Sequence, residues 1–379
     1  MTDKDYRSFP ALRWPLDVQH QEVNSQKILV LSCPLGIAEQ PLGLHAATAP
    51  LLQNFTGKLS IDEIQRRFSP QGCTRELIEE LIELLDKHLF LDSPRYSAAA
   101  ERVRLEFLNL PQRPAFLAGL GYSAAPTALA AELEQLLVTS PALAIQPPQS
   151  SLLGLVSPHI DYRRGGACYG ITWNQLRAHS HDLYLLMGTS HQYSELMFHL
   201  TRKDFASPLG VLPTDRTFME QVAGRYGVVR SFADELLHRR EHSLELQIPF
   251  LRHLKNTPTI APILVGSFYQ MLTSGKAPHE FAMYEDFISS LTEACRERLE
   301  TGSRICVVAG VDMAHVGPHF GDTEALTPGY MQQVEVRDRA YLEAIKAQDK
   351  KALWQHIAED SDARRICGFP TMYTILDLF

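Results

Sequence analysis

From residue 150 onward, short apolar runs alternate with longer amphipathic stretches, the pattern of a sheet wrapped by helices. Four runs read as buried strands: LLGLV at 152–156, DLYLLMG at 182–188, TIAPILVGSF at 259–268 and RICVVAGVDMAH at 304–315. Between them the periodicity predicts a helix near Tyr169 to His179 and another from about Ser243, bent at Pro249. Further helices are predicted over 126–138, 328–347 and 350–358. This is an α/β domain with a mostly parallel or mixed central sheet flanked by helices, expected over residues 113–379.

The first hundred residues are patterned differently. VQHQEV and KILVLS predict a hairpin, and the chain from Gly43 turns helical. Ser60 and Glu63 form a capping box that opens a helix to about Phe68. Thr74 opens a longer helix, with Leu77, Ile78, Leu81, Leu84 and Leu85 as its apolar face. HLFLD at 88–92 reads as a closing strand. Together these predict a small winged-helix-like α+β module over 1–100. Polar, alanine-rich chain punctuated by Pro94, Pro111 and Pro114 follows, and we place a linker at 101–112.

A winged helix suggests DNA, but the charges exclude it. Residues 60–95 hold five Lys/Arg against eight Asp/Glu, and the whole chain carries a net charge of −8, whereas a nucleic-acid reader needs a basic footprint. A small molecule, a peptide or another protein is the expected ligand. No apolar run reaches the roughly 20 residues of a membrane span, and the N-terminal segment has no signal-peptide core. The six cysteines are scattered without a C-x-x-C pair, which points to a reducing, cytoplasmic setting. Gly119-Leu-Gly121-Tyr-Ser-Ala124 satisfies the dinucleotide pattern, but no buried strand precedes it, so we read it as a loop.

The chemistry lies at the ends of the strands. His159 follows the first run, His191 the second, and Asp312 and His315 the fourth; side chains there face the crevice where α/β sheets bind ligands. Two imidazoles and a carboxylate are the ligand types of a non-haem iron site, and equally of a catalytic zinc site. His159, His191 and Asp312 are therefore the expected metal ligands. His242 and His315 are expected to move protons, because imidazole titrates near neutrality. Tyr162, Arg163 and Glu241 are the expected substrate contacts. Each histidine alone also fits an ordinary loop residue bonded to backbone; their common placement is the signal. There is no G-x-S-x-G elbow, no motif supplies a base for Cys168, and Cys367 reads as a buried thiol.

The ordered stretches SPHIDY, LMGTSH, EHSLELQIPFL and VDMAHVG, with RPAFLAGLGYSA before them and RICG after, resemble the Memo family, whose bacterial branch is called AmmeMemoRadiSam system protein B. The likeness covers roughly residues 113–370. It implies a fold similar to class III extradiol dioxygenases, a divalent metal (iron first, with zinc or copper as alternatives), and radical SAM and AMMECR-type partners. His159 and His191 match the family's metal-site histidines, His242 the histidine of its EHS motif, and Asp312 and His315 its S-D-x-x-H stretch. Ala314 stands where some members carry a metal-binding cysteine, so no thiol ligand is expected there. The N-terminal hairpin and PLLQNFTGKLSIDEIQRRF resemble PqqD-like domains, which accompany radical SAM enzymes. The leading expectation is a metal-dependent oxidoreductase. A non-catalytic peptide- or ligand-binding scaffold and a metal-dependent hydrolase are the alternatives.

Overall fold

The computed structural model describes residues 5–139 and 152–378. The chain divides into two compact units, Met1–Leu110 and Pro111–Phe379.

In the first unit, β1 (Asp17–Val23) and β2 (Gln26–Ser32) form a hairpin. Its turn residues, Asn24 and Ser25, both lie in the left-handed region, at φ 51 and 62, as a tight hairpin turn matched to strand twist requires. The chain after Gly43 does not become helical at once. Leu42–His45 is a third strand, β3, paired to β2, with Leu42 and Leu44 inward and Gly43 and His45 outward; over four residues this period of two outweighs helical propensity.

The capping box forms as expected: Ser60 Oγ accepts from the Glu63 amide, Glu63 accepts from the Ser60 amide at 2.8 Å, and α1 runs Ile61–Phe68. Thr74 caps α2 (Arg75–Lys87), whose inward face is Ile78, Leu81, Ile82 and Leu85, while Leu77 and Leu84 are exposed. HLFLD is not a strand; Leu91 makes one isolated bridge to Leu12. The segment read as a linker is largely a helix, α3 (Pro94–Asn109), capped by Ser93 with Pro94 in its first turn. Ala99, Val103 and Phe107 form its buried stripe at a spacing of four. Alanine and proline had signalled loop, but here proline opens the helix and alanine fills it.

The second unit is built on a five-stranded mixed sheet. Its strands are β4 (Gly154–Ser157), β5 (Leu183–Thr189), β6 (Phe198–Leu200), β7 (Ile260–Val265) and β8 (Ile305–Gly310), in the order β4-β8-β5-β7-β6. β4, β8, β5 and β7 are parallel and β6 is an antiparallel edge. β5 is central and buried at every residue, which explains its unbroken apolar sequence. Leu183, Leu185 and Met187 join one core, and Tyr184 and Leu186 join the core on the opposite face. Each such fully buried side chain contributes about 1.5–3 kcal/mol.

α4 (Pro126–Thr139) packs on α5 (Tyr162–Asn174). α5 begins earlier than periodicity predicted, directly after Asp161, whose carboxylate caps it by accepting from the Arg164 amide at 3.0 Å. Gly166, a residue type that disfavours helix in sequence, lies on its contact face, since a Cβ there would lie 2.5 Å from Leu136 of α4. Gly119–Ala124 forms a tight turn, with Gly119 at φ 84 donating to the Tyr122 carbonyl, and not the strand-to-helix crossover of a dinucleotide fold. Among the described residues, no helix is long and apolar enough to cross a membrane.

Candidate metal centre

Parallel strands deliver their ends to one edge of the sheet, and there three histidines converge. His159 follows β4; its amide donates to Asp312 Oδ1 at 2.8 Å and its Nδ1 pairs with the Gly310 carbonyl at 2.9 Å. His191 follows β5; its amide donates to Glu241 Oε2 at 2.9 Å, and its Nδ1 lies 3.0 Å from Glu241 Oε1. His242 opens a one-turn helix, α6 (His242–Glu245), capped by Glu241, with Nδ1 3.3 Å from the same carboxylate.

The ring centroids are 4.9 Å apart for His159 and His191, 5.2 Å for His159 and His242, and 4.4 Å for His191 and His242. One nitrogen from each lies within 4.8 Å of the other two, close enough for the three to hold a metal ion. With Nδ1 engaged on a carbonyl or carboxylate, Nε2 is the nitrogen left to bind, the usual arrangement of metal-bound histidine.

Glycine makes this approach possible. A Cβ on Gly310 would stand 2.2 Å from the Ser243 carbonyl, and one on Gly188 would stand 2.5 Å from Ser243 Oγ. The backbone of α6 therefore rests directly on the ends of β5 and β8, and Ser243 Oγ donates to the Thr189 carbonyl at 2.8 Å.

Burial first, and then the neighbouring His191, push His159 down to about 4. Burial also works against charge on His191, but the Glu241 carboxylate overcomes it and raises that imidazole to about 10. Burial lowers His242, against the pull of Glu241. Glu241 itself is held well below the usual carboxylate range: burial opposes its charge, and His191 outweighs burial. The metal-free cluster thus holds one imidazolium–carboxylate pair beside two neutral imidazoles.

The geometry redistributes several expected roles. His242 belongs with His159 and His191, not apart from them as a proton carrier. Asp312 uses Oδ1 on the His159 amide, and its Oδ2 stands 3.9 Å from His159 Nε2, bordering the cluster. Glu241 is 6% exposed and lies behind His191, its carboxylate engaged by the His191 amide and ring and absent from the cleft lining. Tyr162 is a core residue that stacks on Tyr122 and donates to the Leu246 carbonyl at 2.7 Å. Arg163 is exposed on α5, while Arg164, paired with Asp161, lines the cleft. His315 does line the cleft, its Nδ1 on the Arg365 carbonyl at 3.0 Å.

A thiol was not expected, yet Cys367 Sγ lies 3.2 Å from His159 Nε2. It comes from the RICG stretch just ahead of the helix α7 (Phe369–Leu376), so Ala314 does not leave the site without sulfur. The sequence signal was the glycine-flanked cysteine before an apolar helix, too common a pattern to select. The cleft in front of the histidines has a volume of about 390 Å³. A second cavity of about 380 Å³ backs onto His191 and Cys367.

A mixed sheet flanked by helices, with two histidines beyond its strand ends and a third at the start of α6, all anchored by carboxylate or carbonyl, defines an α/β protein with a cleft suited to a metal ion. Residues 113–379 match the family described as Memo-like protein, and the chain belongs to it. A MEMO1 family protein of Aquifex aeolicus is 24% identical over 354 residues, covering 92% of this chain and 86% of its own. One from Archaeoglobus fulgidus is 28% identical over 255 residues, covering 67% and 81%. One from Methanosarcina mazei is 29% identical over 168 residues, covering 44% and 55%.

Proposed function

We propose that this protein is a metal-dependent oxidoreductase of the Memo type, with iron the first choice of metal. The observation that carries this reading is the convergence of His159, His191 and His242, with Nδ1 of His159 and His191 already committed elsewhere. Imidazole suits iron, zinc and copper, and the nearby Cys367 thiol and Asp312 carboxylate extend the donor set in both soft and hard directions. The sheet with its cleft beyond the strand ends also supports a likeness to class III extradiol dioxygenases. When bound, the metal supplies Lewis acidity and, as iron, an exchangeable electron.

The chain's own residues do the rest. Glu241 accepts the Nδ1–H of His191, which orients the ring, and balances its charge. His315, fixed by the Arg365 carbonyl, stands at the cleft wall where a substrate proton can be taken or returned. Leu117, Leu120 and Leu246 give the cleft an apolar side, and Asp161, Arg164 and His319 a polar one, which suits a small amphipathic molecule or a peptide segment. The first unit, whose α2 carries five acidic residues against two basic ones, is the part we assign to docking the radical SAM and AMMECR-type partners, in the cytoplasm.

Metal analysis tests the reading. Protein purified without chelator is expected to carry about one equivalent of metal per chain, with iron predominant, and His159→Ala is expected to remove it. Metal content that is negligible in the natural protein and unchanged by that substitution overturns it. Zinc alone, together with a hydrolytic activity that follows metal content, would move the assignment to a hydrolase.

A further inference from the structure

Arg113 and Glu245 form an ion pair at 2.6 Å, with side chains 0% and 1% exposed. Burying two charges is costly, and a well-packed apolar pair often serves stability as well or better, so such a pair is more readily explained by specificity than by stability. The contacts of this pair show what it specifies. Arg113 Nε donates to the His238 carbonyl at 2.6 Å and Nη2 to the Glu241 carbonyl at 2.7 Å. Glu245 Oε1 accepts from the Leu117 amide at 2.6 Å and from the Tyr122 hydroxyl at 2.7 Å. The guanidinium lies over the Phe205 ring, 5.3 Å from its centroid.

The two carbonyls gripped by the guanidinium bracket the bend that enters α6. Glu241, the second of them, orients His191 through its carboxylate and caps the turn that begins with His242. Glu245 closes that same turn three residues later. His242 therefore takes its position, and His191 the orientation of its ring, from main chain held by one planar fork. A lysine would balance the charge of Glu245 but, as a single flexible point, could not hold two carbonyls at fixed angles.

We propose that Arg113 and Glu245 are positioning residues of the metal centre: they set the Glu241–His242 bend so that His191 and His242 face His159 at ligating distance. This rests on the metal reading above and extends it to a pair that touches no ligand nitrogen.

The test uses the full-length protein, with Co(II) as the probe, and two variants. Arg113→Met/Glu245→Met removes both charges together and leaves apolar volume, which keeps the fold. Arg113→Lys keeps the charge and loses the fork. Both are expected to unfold cooperatively like the natural protein, to bind Co(II) about 10- to 100-fold more weakly, the usual cost of losing an outer partner, and to shift the visible Co(II) bands. In metal-free protein, the ring resonances of His191 and His242 are expected to move while those of His315 stay. A folded variant with natural Co(II) affinity, natural bands and unmoved ring resonances overturns the proposal. If the double variant does not fold, Arg113→Lys decides by the same measurements. If the natural protein binds no Co(II), the metal reading fails by itself, and the ring resonances still decide whether the pair positions the histidines.

Discussion

The first unit and the histidine cleft are held together in opposite ways. In the first unit, the features that shape α1 and α2 are local: Ser60 with Glu63, Thr74 with Leu77, and apolar residues three and four apart. In the cleft, the contacts that anchor His159 and His191 join distant chain, with His159 reaching Asp312 and Cys367, and His191 reaching Glu241. Local contacts make a helix and long-range contacts make a site. Disturbing the first should cost stability in one element, and disturbing the second should change chemistry.

The largest expected effect comes from Gly310→Ala. Its Cβ meets the Ser243 carbonyl, a backbone atom that cannot swing away, and we expect a loss of about 3 kcal/mol in urea unfolding together with weakened metal binding. A loss below about 0.5 kcal/mol, the scatter of ordinary surface changes, would show that α6 has room to retreat.

Glu241→Gln comes next. It keeps the shape but removes the charge that orients His191, and metal affinity measured by competition with a chromophoric chelator, after correction for the proton His191 must release, should fall about 10- to 100-fold. Unchanged affinity would make the carboxylate a bystander.

The third test is pH. With its pKa raised to about 10, His191 carries a proton at neutral pH that the metal must expel, whereas His159, lowered to about 4, is already free. Metal affinity should therefore rise with pH, about tenfold per unit, and level off near 10 as His191 loses its proton unaided. Calorimetry in buffers of different ionisation enthalpy should count one proton released. A pH-independent affinity between 7 and 9 would contradict the charged His191–Glu241 pair.

The smallest effect sharpens the contrast from the other side. Ser60→Ala should cost about 1 kcal/mol through loss of the cap and leave metal content untouched. A change in metal content would mean that the first unit and the cleft are energetically linked.

The same contrast explains what was legible in the sequence. The four parallel strands were readable because each is written as an apolar run, and His159 and His191 were readable because each lies three residues beyond such a run. The three-residue antiparallel edge β6 was not read, being too short to stand out. α3 was missed because its apolar stripe of Ala99, Val103 and Phe107 is diluted by small and charged residues. The early start of α5 was missed because Gly165 and Gly166 look like loop until Leu136 is placed against Gly166. Tyr162 and Glu241 were both placed beside substrate because sequence shows adjacency and not direction; Tyr162 turns into the core and Glu241 turns behind His191. Cys367 escaped for the plainest reason: it lies 208 positions from the imidazole it touches.

That separation also sets an order of events during synthesis. The three histidines leave the ribosome well before Cys367, and the chain must close a very long loop before thiol and imidazole meet, which is entropically slow. A cation captured by the nascent chain would meet an incomplete set of donors. On the metal reading proposed above, with Cys367 among the donors, secure loading belongs to the finished fold, and a bound ion, by favouring only that fold, would serve as a seal on its completion.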